Sequence, residues 1–292
     1  MSSVTPARTS VALIVLNYNT SDRVIALFEH VTRLRASRDS AIQAEFVVVD
    51  NASGEGEAAK LTAYFTGRNG CHVIINNENR GYAAGNNVGL RFATVRGSDF
   101  CLIANSDIEF LTPDFLEQLV AAARSLPLCG LIGPRVVFPD GRPQGPLPVL
   151  GVANAIFPLA IQPVTAVTPV YATVGCCIFG ASQVFAQLGF LDEETFLYRE
   201  EVVLAERLTK LPLRWYYLPD VVVQHNHERK VQSVGKFLFH KRCEKRSTIY
   251  YFELYRHRTP IAILSYRALL LGKTLIGAAL CLVRQFTPQR AR

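Results

Sequence analysis

The sequence predicts an α/β fold in which a mostly parallel sheet is flanked by helices. Three observations lead to this prediction: short apolar runs rich in β-branched residues recur along the first half of the chain, helix-length segments separate them, and polar residues follow each run. Strands that alternate with helices form βαβ units, which build parallel sheets covered on both faces. With 292 residues, of which 49% are hydrophobic, the chain can bury a sizeable core.

Four strands and four helices are predicted in alternation before residue 126. The strands are expected where the apolar runs are short and β-branched, at residues 11–16, 45–50, 71–75 and 99–104. Helices should follow them at residues 22–35, 58–65, 82–95 and 113–125. Thr20, Ser21 and Asp22 can cap the first helix, and Pro113 suits the first turn of the fourth.

The second half of the chain is less regular. Prolines and glycines crowd residues 139–169, which predicts a long irregular excursion, and such a loop in a compact domain is usually functional or mobile. Regular structure should then return as a strand, two helices and two short strands, at residues 171–180, 181–188, 200–211, 214–218 and 221–225.

Charge and cysteine usage narrow the class of protein. Lys and Arg number 31 against 24 Asp and Glu, and the net charge of +7 suits nucleic acid, anionic lipid or a phosphorylated substrate. Much of this charge lies near the C-terminus beside apolar residues, so we expect a membrane surface and no nucleic acid. The seven cysteines form no C-x-x-C pair, which indicates reduced core thiols in the cytoplasm rather than a zinc or redox motif. The first apolar run is too short for a signal-peptide core.

Polar residues follow all four of the first strands, at the sheet edge where parallel sheets bind ligands. Asp107 comes just after the fourth strand, beside Asn105, where a carboxylate could hold a divalent cation against a diphosphate. Capping the next turn is its alternative role. Asp50 ends the second strand and could accept hydrogen bonds from a ribose or a base, or form a local Asx turn.

Small and polar residues open the third helix, in the run NRGYAAGNN that starts at Asn79. Small residues let the backbone approach a ligand closely, and the N-terminus of a helix favours an anion. The run lacks G-x-G-x-x-G, which argues against a nicotinamide cofactor.

Acidic residues interleave with aromatic ones before and at the start of the helix expected at residue 200. They are Asp192, Glu193, Glu200 and Glu201. A carboxylate at a helix start is stabilised as the anion and can act as a general base, although a solvated acidic surface is the alternative. His225 ends the last predicted strand, where a lone histidine is more often structural than a ligand.

Seven segments, taken in order, resemble the family 2 glycosyltransferases of the GT-A fold. The segments are IVLNYN, VVVDNAS, NRGYAAGNNVG, ANSDIEF, GCCIFG, GFLDEETFLYREE and YLPDVVVQH, and the resemblance covers roughly residues 11–233. Within the family, the chain looks most like the rhamnosyltransferase-type enzymes of bacterial surface-polysaccharide assembly. The resemblance implies a GT-A-type, Rossmann-like catalytic domain at residues 1–233. That domain would move a sugar, with inversion, from a nucleotide-diphosphate-sugar donor to a glycan or lipid-linked glycan acceptor.

The resemblance also implies roles for single residues. Donor-binding residues would be Asn19, Asp50, Asn79, Gly81, Asn86 and Asn105. Ligands of Mg²⁺ or Mn²⁺ would be Asp107 and His225. Asp192 would shape the acceptor or sugar site, and Glu201, with Glu200 beside it, lies where the catalytic base is expected.

Two positions depart from the Glu-Asp-x-Asp-Leu run that is frequent in the family. Glu201 stands where Asp is usual, and Val203 replaces an acidic residue altogether. The base can therefore be Glu200 or Glu201, and a non-catalytic donor-binding scaffold is an alternative to an enzyme. A sugar nucleotidyltransferase is a further alternative, but it would need a glycine-rich, basic signature after the first strand, where this chain has Asn-Tyr-Asn.

Residues 234–292 are predicted to form a helical tail that contacts a membrane. The basic cluster, Lys236, Lys241, Arg242, Lys245 and Arg246, precedes an apolar stretch at residues 261–283, and this combination is typical of contact with anionic lipid. Insertion of the stretch gains about 5–6 kcal/mol from its aliphatic residues, and Arg267 and Lys273 cost roughly 3 kcal/mol each. We therefore expect a tail that lies on the cytoplasmic face of the inner membrane, with a core helix as the alternative.

Overall fold

The computed structural model describes residues 8–36, 41–157, 159–226 and 233–286, with only the backbone given for residues 283–286. Within these residues, nine strands form one sheet in the order β3-β2-β1-β4-β8-β6-β9-β5, and β7 pairs with β9. The strands are β1 (Thr9–Asn17), β2 (Ile42–Asp50), β3 (Cys71–Ile75), β4 (Phe100–Ala104), β5 (Ile108–Phe110), β6 (Cys129–Val137), β7 (Thr168–Val170), β8 (Cys177–Ala181) and β9 (Arg214–His225).

Helices cover both faces of this sheet, as the sequence predicts. In chain order they are α1 (Ser21–Ala36), α2 (Glu57–Phe65), α3 (Tyr82–Val95), α4 (Phe115–Ser125), α5 (Val152–Ile156), α6 (Ser182–Gln187), α7 (Glu200–Leu208), α8 (Val234–Tyr250) and α9 (Pro260–Phe286). A π-helical turn, Tyr251–Tyr255, joins α8 to the loop before α9.

The first four predicted strands are confirmed and pair in parallel, with β1 at the centre between β2 and β4. The sheet becomes mixed where β8 enters antiparallel to both β4 and β6. The parallel half brings the carboxyl ends of β1, β2 and β4 to one edge, and Asn17 lies directly beside Asp50 in the register.

The residues of β1 alternate between two hydrophobic cores, one on each face of the sheet. Val11, Leu13 and Val15 pack on the face that also receives α1, α2 and α4. Ala12 and Ile14 pack on the opposite face with side chains of α3, α6 and α7. Because successive side chains of a strand point to opposite faces, a run without polar residues is buried on both sides.

The prediction of two short strands near the end of the sheet is wrong, because residues 214–225 form the single strand β9. Pro219 and Asp220 interrupt the apolar pattern. At these residues the register of β9 against β6 shifts between Leu218 and Val222, but the strand continues. Proline cannot donate a ladder hydrogen bond, so the strand accommodates it as an irregularity.

The tail is a helical hairpin whose first part belongs to the core. Phe237, early in α8, packs against Gly277, late in α9, so the two helices run antiparallel. Tyr251, Phe252 and Tyr266 are fully buried in a third hydrophobic cluster together with side chains of α5 and α7. The span Pro260–Leu282 of α9 is long and apolar enough to cross a membrane, and 17% of its apolar window is buried.

Candidate functional site

The carboxyl ends of β1 and β2 carry a compact polar network. Asn17 Nδ2 donates to Asp50 Oδ1 at 2.6 Å, and the backbone N–H of Ser53 donates to Asp50 Oδ2 at 3.1 Å. The Ser53 hydroxyl accepts a hydrogen bond from the backbone N–H of Asn19 at 2.9 Å. Asn19 and Asp50, both predicted to bind the donor, are therefore brought together by Ser53.

Asn51 links this network to the start of α3. Its amide Nδ2 donates to Asn79 Oδ1 at 2.8 Å and to the Gly81 carbonyl at 3.1 Å. Asn79 Oδ1 also accepts the backbone N–H of Gly81 at 2.9 Å. Asn51 was not among the predicted site residues, although its position directly after Asp50, at the strand end, is a signal that could have found it.

Gly81 lets the segment before α7 lie against the N-terminus of α3. Its φ of +94° lies in a region that L side chains rarely adopt, and a Cβ atom there would stand 2.2 Å from the Phe196 carbonyl oxygen. That same carbonyl accepts the backbone N–H of Tyr82 at 2.7 Å. The start of α3 and the segment before α7 are thus in backbone contact.

Asn86 and Asn87 lie on α3 and are both buried. Asn86 Nδ2 donates to the Tyr82 carbonyl, and its Oδ1 has no hydrogen-bond partner among the described residues. Asn87 exchanges two hydrogen bonds with the backbone of Leu191, each 2.9 Å long. Asn87, which was not predicted, therefore holds the acidic segment to α3, while donor binding by Asn86 stays a prediction.

Asp107 and His225 meet at the junction of β5 and β9. His225 pairs with Ile108 in the sheet, and its Nε2 lies 3.3 Å from Asp107 Oδ1. On the other side of the ring, Nδ1 lies 3.0 Å from Gln144 Oε1. Arg23 Nη1 lies 3.9 Å from Asp107 Oδ2.

This pair fits a divalent cation that a phosphorylated ligand helps to hold. Within the described residues, no group of three His, Cys, Asp or Glu side chains comes together, so the protein alone offers one carboxylate and one imidazole. Mg²⁺ is commonly held by one or two carboxylates with water and substrate phosphates in its other positions. An oxygen partner on the far ring nitrogen, here Gln144 Oε1, orients a histidine ligand in the same way as in known metal sites.

Glu201 and Tyr82 of α3 both lie against Gly175. A Cβ atom on Gly175 would stand 3.1 Å from Glu201 Oε2, so the missing side chain leaves room for the glutamate. The Tyr82 hydroxyl donates to the Gly175 carbonyl at 2.8 Å, and it lies 3.1 Å from Asn105 Oδ1 as a second acceptor. The predicted base and the predicted donor residue Asn105 are therefore joined through Tyr82 and Gly175.

The two adjacent glutamates have different surroundings. Glu200 is buried, and its Oε1 has no hydrogen-bond partner among the described residues. Burial and the neighbouring charge of Glu201 raise the pKa of Glu200 well above its usual value. Burial also raises the pKa of Glu201, whose side chain lines an open cavity. Of these two adjacent glutamates, only Glu201 lines that cavity.

The cavity beside Glu201 has a volume of about 670 Å³ and mostly apolar walls. The irregular excursion supplies one wall through Pro146, Leu150 and Leu159. The other lining side chains include the charged residues Arg199, Glu244 and Lys273 and the apolar residues Val170 and Val202. Lys273, from α9, donates to the Ile156 carbonyl at 2.6 Å and so ties the tail to the excursion.

Asp192 lies apart from this cavity, in a buried contact with the tail. Its Oδ2 accepts hydrogen bonds from Arg207 at 2.7 Å, from Tyr250 at 2.8 Å and from Tyr255. Burial opposes ionisation of Asp192, but the tyrosine hydroxyls and Arg207 outweigh it and lower the pKa of the carboxyl. Its carboxylate is committed to this network, and a role at the acceptor or sugar site stays a prediction.

Val203 is fully buried among aromatic residues of the tail. Its neighbours in the third hydrophobic cluster include Tyr251, Phe252 and Tyr266. An acidic side chain at this position would enter an apolar contact, so valine serves the packing of α7 on the tail.

Comparisons with known proteins place the chain beside sugar-transferring enzymes. Residues 12–188 match the model of glycosyl transferase family 2. The hexosyltransferase Agl10 of low-salt glycan biosynthesis in Haloferax volcanii is 28% identical over 67% of this chain and 60% of its own length. The N-acetylglucosaminyl-diphospho-decaprenol L-rhamnosyltransferase of Mycobacterium tuberculosis is 29% identical over 47% of this chain and 49% of its own length. The chain thus spans about half to three fifths of these curated relatives.

A solved structure with the same fold is the mannosyltransferase PcManGT of Pyrobaculum calidifontis, in complex with GDP-Man and Mn²⁺. It superposes with a TM-score of 0.59 over 94% of this chain and 74% of its own, at 18% identity. At that identity the likeness shows the GT-A fold alone, and it agrees with the fold class that the sequence predicts.

The contact at Gly81 generates a prediction about stability. Gly81→Ala should lower the free energy of unfolding by more than about 3 kcal/mol. The new Cβ atom would clash with the Phe196 backbone, and alanine would also have to adopt an unfavourable φ. Gly97→Ala is the matched control, since Gly97 also has a positive φ, +80°, but nothing lies near its Cβ position. The control should lose only about 1 kcal/mol in urea denaturation, and equal losses for both variants would contradict the proposed contact.

Proposed function

The chain belongs to glycosyl transferase family 2, and we propose that it transfers a sugar, with inversion, from a nucleoside-diphosphate-sugar donor to a hydroxyl of a glycan acceptor. The observation that carries this proposal is the position of Glu201. Its side chain lines the cavity and also lies against Gly175. The Gly175 carbonyl in turn accepts a hydrogen bond from Tyr82, next to the proposed donor-binding residues.

Glu201 acts as the general base in this proposal. Its carboxylate takes the proton of the acceptor hydroxyl while that oxygen forms a bond to the anomeric carbon of the donor sugar. The bond from the anomeric carbon to the diphosphate breaks on the opposite face, and the nucleoside diphosphate leaves with the electron pair. A divalent cation on Asp107 and His225 would offset the charge of the departing diphosphate. Asn19, Asp50 and Asn79 hold the nucleoside end.

The surroundings of Val203 support an enzyme rather than a donor-binding scaffold. The acid that is missing at this position would face the buried tail contact and not the cavity, so its absence removes no group from the reaction. Membership of a glycosyl transferase family likewise favours transfer over the nucleotidyltransferase alternative.

The walls of the cavity support a lipid-linked acceptor. Apolar residues of the excursion and of α7 surround Glu201. An acceptor with an isoprenoid chain would match these walls. The mycobacterial relative carries a decaprenol-linked acceptor in its name, which is consistent with the same chemistry.

The proposal includes attachment to a membrane, at its cytoplasmic face, and the tail hairpin supports the attachment. Leu264, Leu275 and Ile276 of α9 are between 63% and 66% exposed and form part of an apolar face that none of the described residues covers. Arg242 and Lys245 of the basic cluster are exposed on α8, the other helix of the hairpin. An apolar helix face next to basic residues binds anionic lipid at the headgroup level.

The assignment of the base is tested by Glu201→Gln. We expect kcat to fall by about two to four orders of magnitude, because the amide cannot take a proton, while donor affinity stays unchanged in calorimetry. Wild-type turnover should rise with pH through the raised pKa of Glu201, since only the carboxylate is a base. Transfer is measured with a panel of nucleoside-diphosphate sugars and a prenyl-linked glycan.

Glu200→Gln is the matched variant for this test. Glu200 is buried and does not line the cavity, so its amide should leave turnover within about tenfold of wild type. A large loss in Glu200→Gln with a mild effect of Glu201→Gln would move the base by one residue. Donor binding without any transfer or hydrolysis would identify a scaffold.

The cation site is tested by Asp107→Asn. We expect Mn²⁺ to strengthen nucleoside diphosphate binding in the wild type, and this gain to fall by at least about tenfold in the variant. Asp220→Asn is the control, because Asp220 is an exposed carboxylate on the same strand as His225. Calorimetric affinities that are equal with and without Mn²⁺ in the wild type would contradict metal dependence.

The membrane surface is tested by point substitutions, because the tail also contributes Tyr251 and Phe252 to the core and cannot simply be removed. The double variant Leu264→Glu, Leu275→Glu should bind liposomes with anionic headgroups at least about tenfold more weakly than wild type. Val95→Glu, at a position 88% exposed on α3, is the control. Co-sedimentation that ignores lipid charge and salt would contradict the electrostatic part of the proposal.

A further inference from the structure

Two consecutive residues directly before the glutamate pair have left-handed backbone conformations. Tyr198 has a φ of +73° and Arg199 a φ of +76°, and neither is a glycine. Such residues cost of order 1–3 kcal/mol each and persist only where their surroundings hold them. The helix they precede, α7, has no side-chain cap on its first turn, so its start is not fixed by its own sequence.

One face of α8 supplies the groups that hold this turn. Arg199 Nε donates to Thr248 Oγ1 at 2.9 Å, and Arg199 Nη2 donates to Glu244 Oε1 at 3.1 Å. The Ser247 hydroxyl donates to the Leu197 carbonyl at 3.0 Å. The spacing of residues 244, 247 and 248 places their side chains on the same side of the helix.

A fourth contact comes from one turn earlier on the same face of α8. The Tyr198 hydroxyl lies 2.9 Å from His240 Nδ1. Thr248 is fully buried and Tyr198 is 38% exposed, so the contacts run from the core to the surface along the turn. Every residue from 197 to 199 is therefore bound to α8 by at least one hydrogen bond.

We propose that α8 is a positioning element of the active site: it holds residues 197–199 in the left-handed turn that directs the Glu201 carboxylate to Gly175 and the cavity. The inference rests on the proposed role of Glu201 as the base. Thr248 and Glu244 act through Arg199 and touch no substrate in this role. In this proposal the tail both positions the base and binds the membrane.

Thr248→Val tests the hydrogen bond while it preserves side-chain shape. We expect kcat to fall at least about tenfold, because Arg199 loses an acceptor in a buried position, whereas donor affinity stays within about twofold. Thr94→Val is the matched control, since within the part of the chain that the structure describes the Thr94 hydroxyl bonds only a carbonyl of its own helix. Unchanged kcat in Thr248→Val, with a wild type that is active, would overturn the inference and leave the proposed function intact.

A pair of substitutions at Tyr198 separates backbone conformation from loss of the ring. Tyr198→Gly and Tyr198→Val both remove the hydroxyl, but glycine adopts a positive φ freely and a β-branched residue does not. We expect Tyr198→Gly to keep kcat within about threefold of wild type and Tyr198→Val to lose at least about tenfold. Equal kcat values for the two variants would overturn the role of the left-handed turn.

Hydrogen exchange gives a measure that does not depend on transfer. Amides of residues 197–203 in the full chain should exchange at least about tenfold faster in Thr248→Val than in wild type, and not in Thr94→Val. Equal exchange in both variants would overturn the inference even if no donor sugar were turned over. An inactive wild type with faster exchange in Thr248→Val would place the failure in the proposed function instead.

Discussion

The backbone contact between Gly81 and Phe196 is the constraint on which the rest of the site depends. Without a Cβ at Gly81, the Phe196 carbonyl reaches the first N–H of α3 and brings the acidic segment over the ends of the strands. Of the predicted donor residues, Asn19 lies in the turn directly after β1 and Asp50 ends β2. The predicted base, Glu201, comes from a segment far from them in sequence, and the contact at Gly81 joins that segment to α3.

The first half of the fold follows from the sequence because its signals are local. Each of the first four strands is an apolar, β-branched run; the runs of β1, β2 and β4 are buried on both faces, and that of β3, at the sheet edge, is partly buried. The prediction of two strands around Pro219 is wrong because a proline is a local signal, whereas the pairing of β6 with β9 on both sides of it is a long-range contact. Asn86 and Asn87 are two asparagines on the same helix, but Asn86 bonds a carbonyl of that helix and Asn87 bonds the distant Leu191. No local pattern in the sequence distinguishes them.

Local sequence signals also cannot decide between Glu200 and Glu201 as the base. Neighbouring residues of a helix point about a quarter-turn apart or more, so one of two adjacent carboxylates can face a cavity while the other is buried. The sequence identifies the two adjacent glutamates but not which of them faces the cavity, because the cavity is formed in part by the excursion and by α9. The contacts of Tyr250 and Tyr251 in the tail are likewise not visible in a local pattern, because their carboxylate partners, Asp192 and Glu206, lie far upstream.

Lys273 reaches from α9 to the Ile156 carbonyl, so the cavity beside Glu201 has one wall from the excursion and another from the tail hairpin. The predicted donor residues Asn19, Asp50 and Asn79, in contrast, make hydrogen bonds with residues of the parallel half. In a chimera made from relatives, the excursion and the hairpin should therefore be exchanged together, since either wall transplanted alone leaves the cavity with mismatched sides.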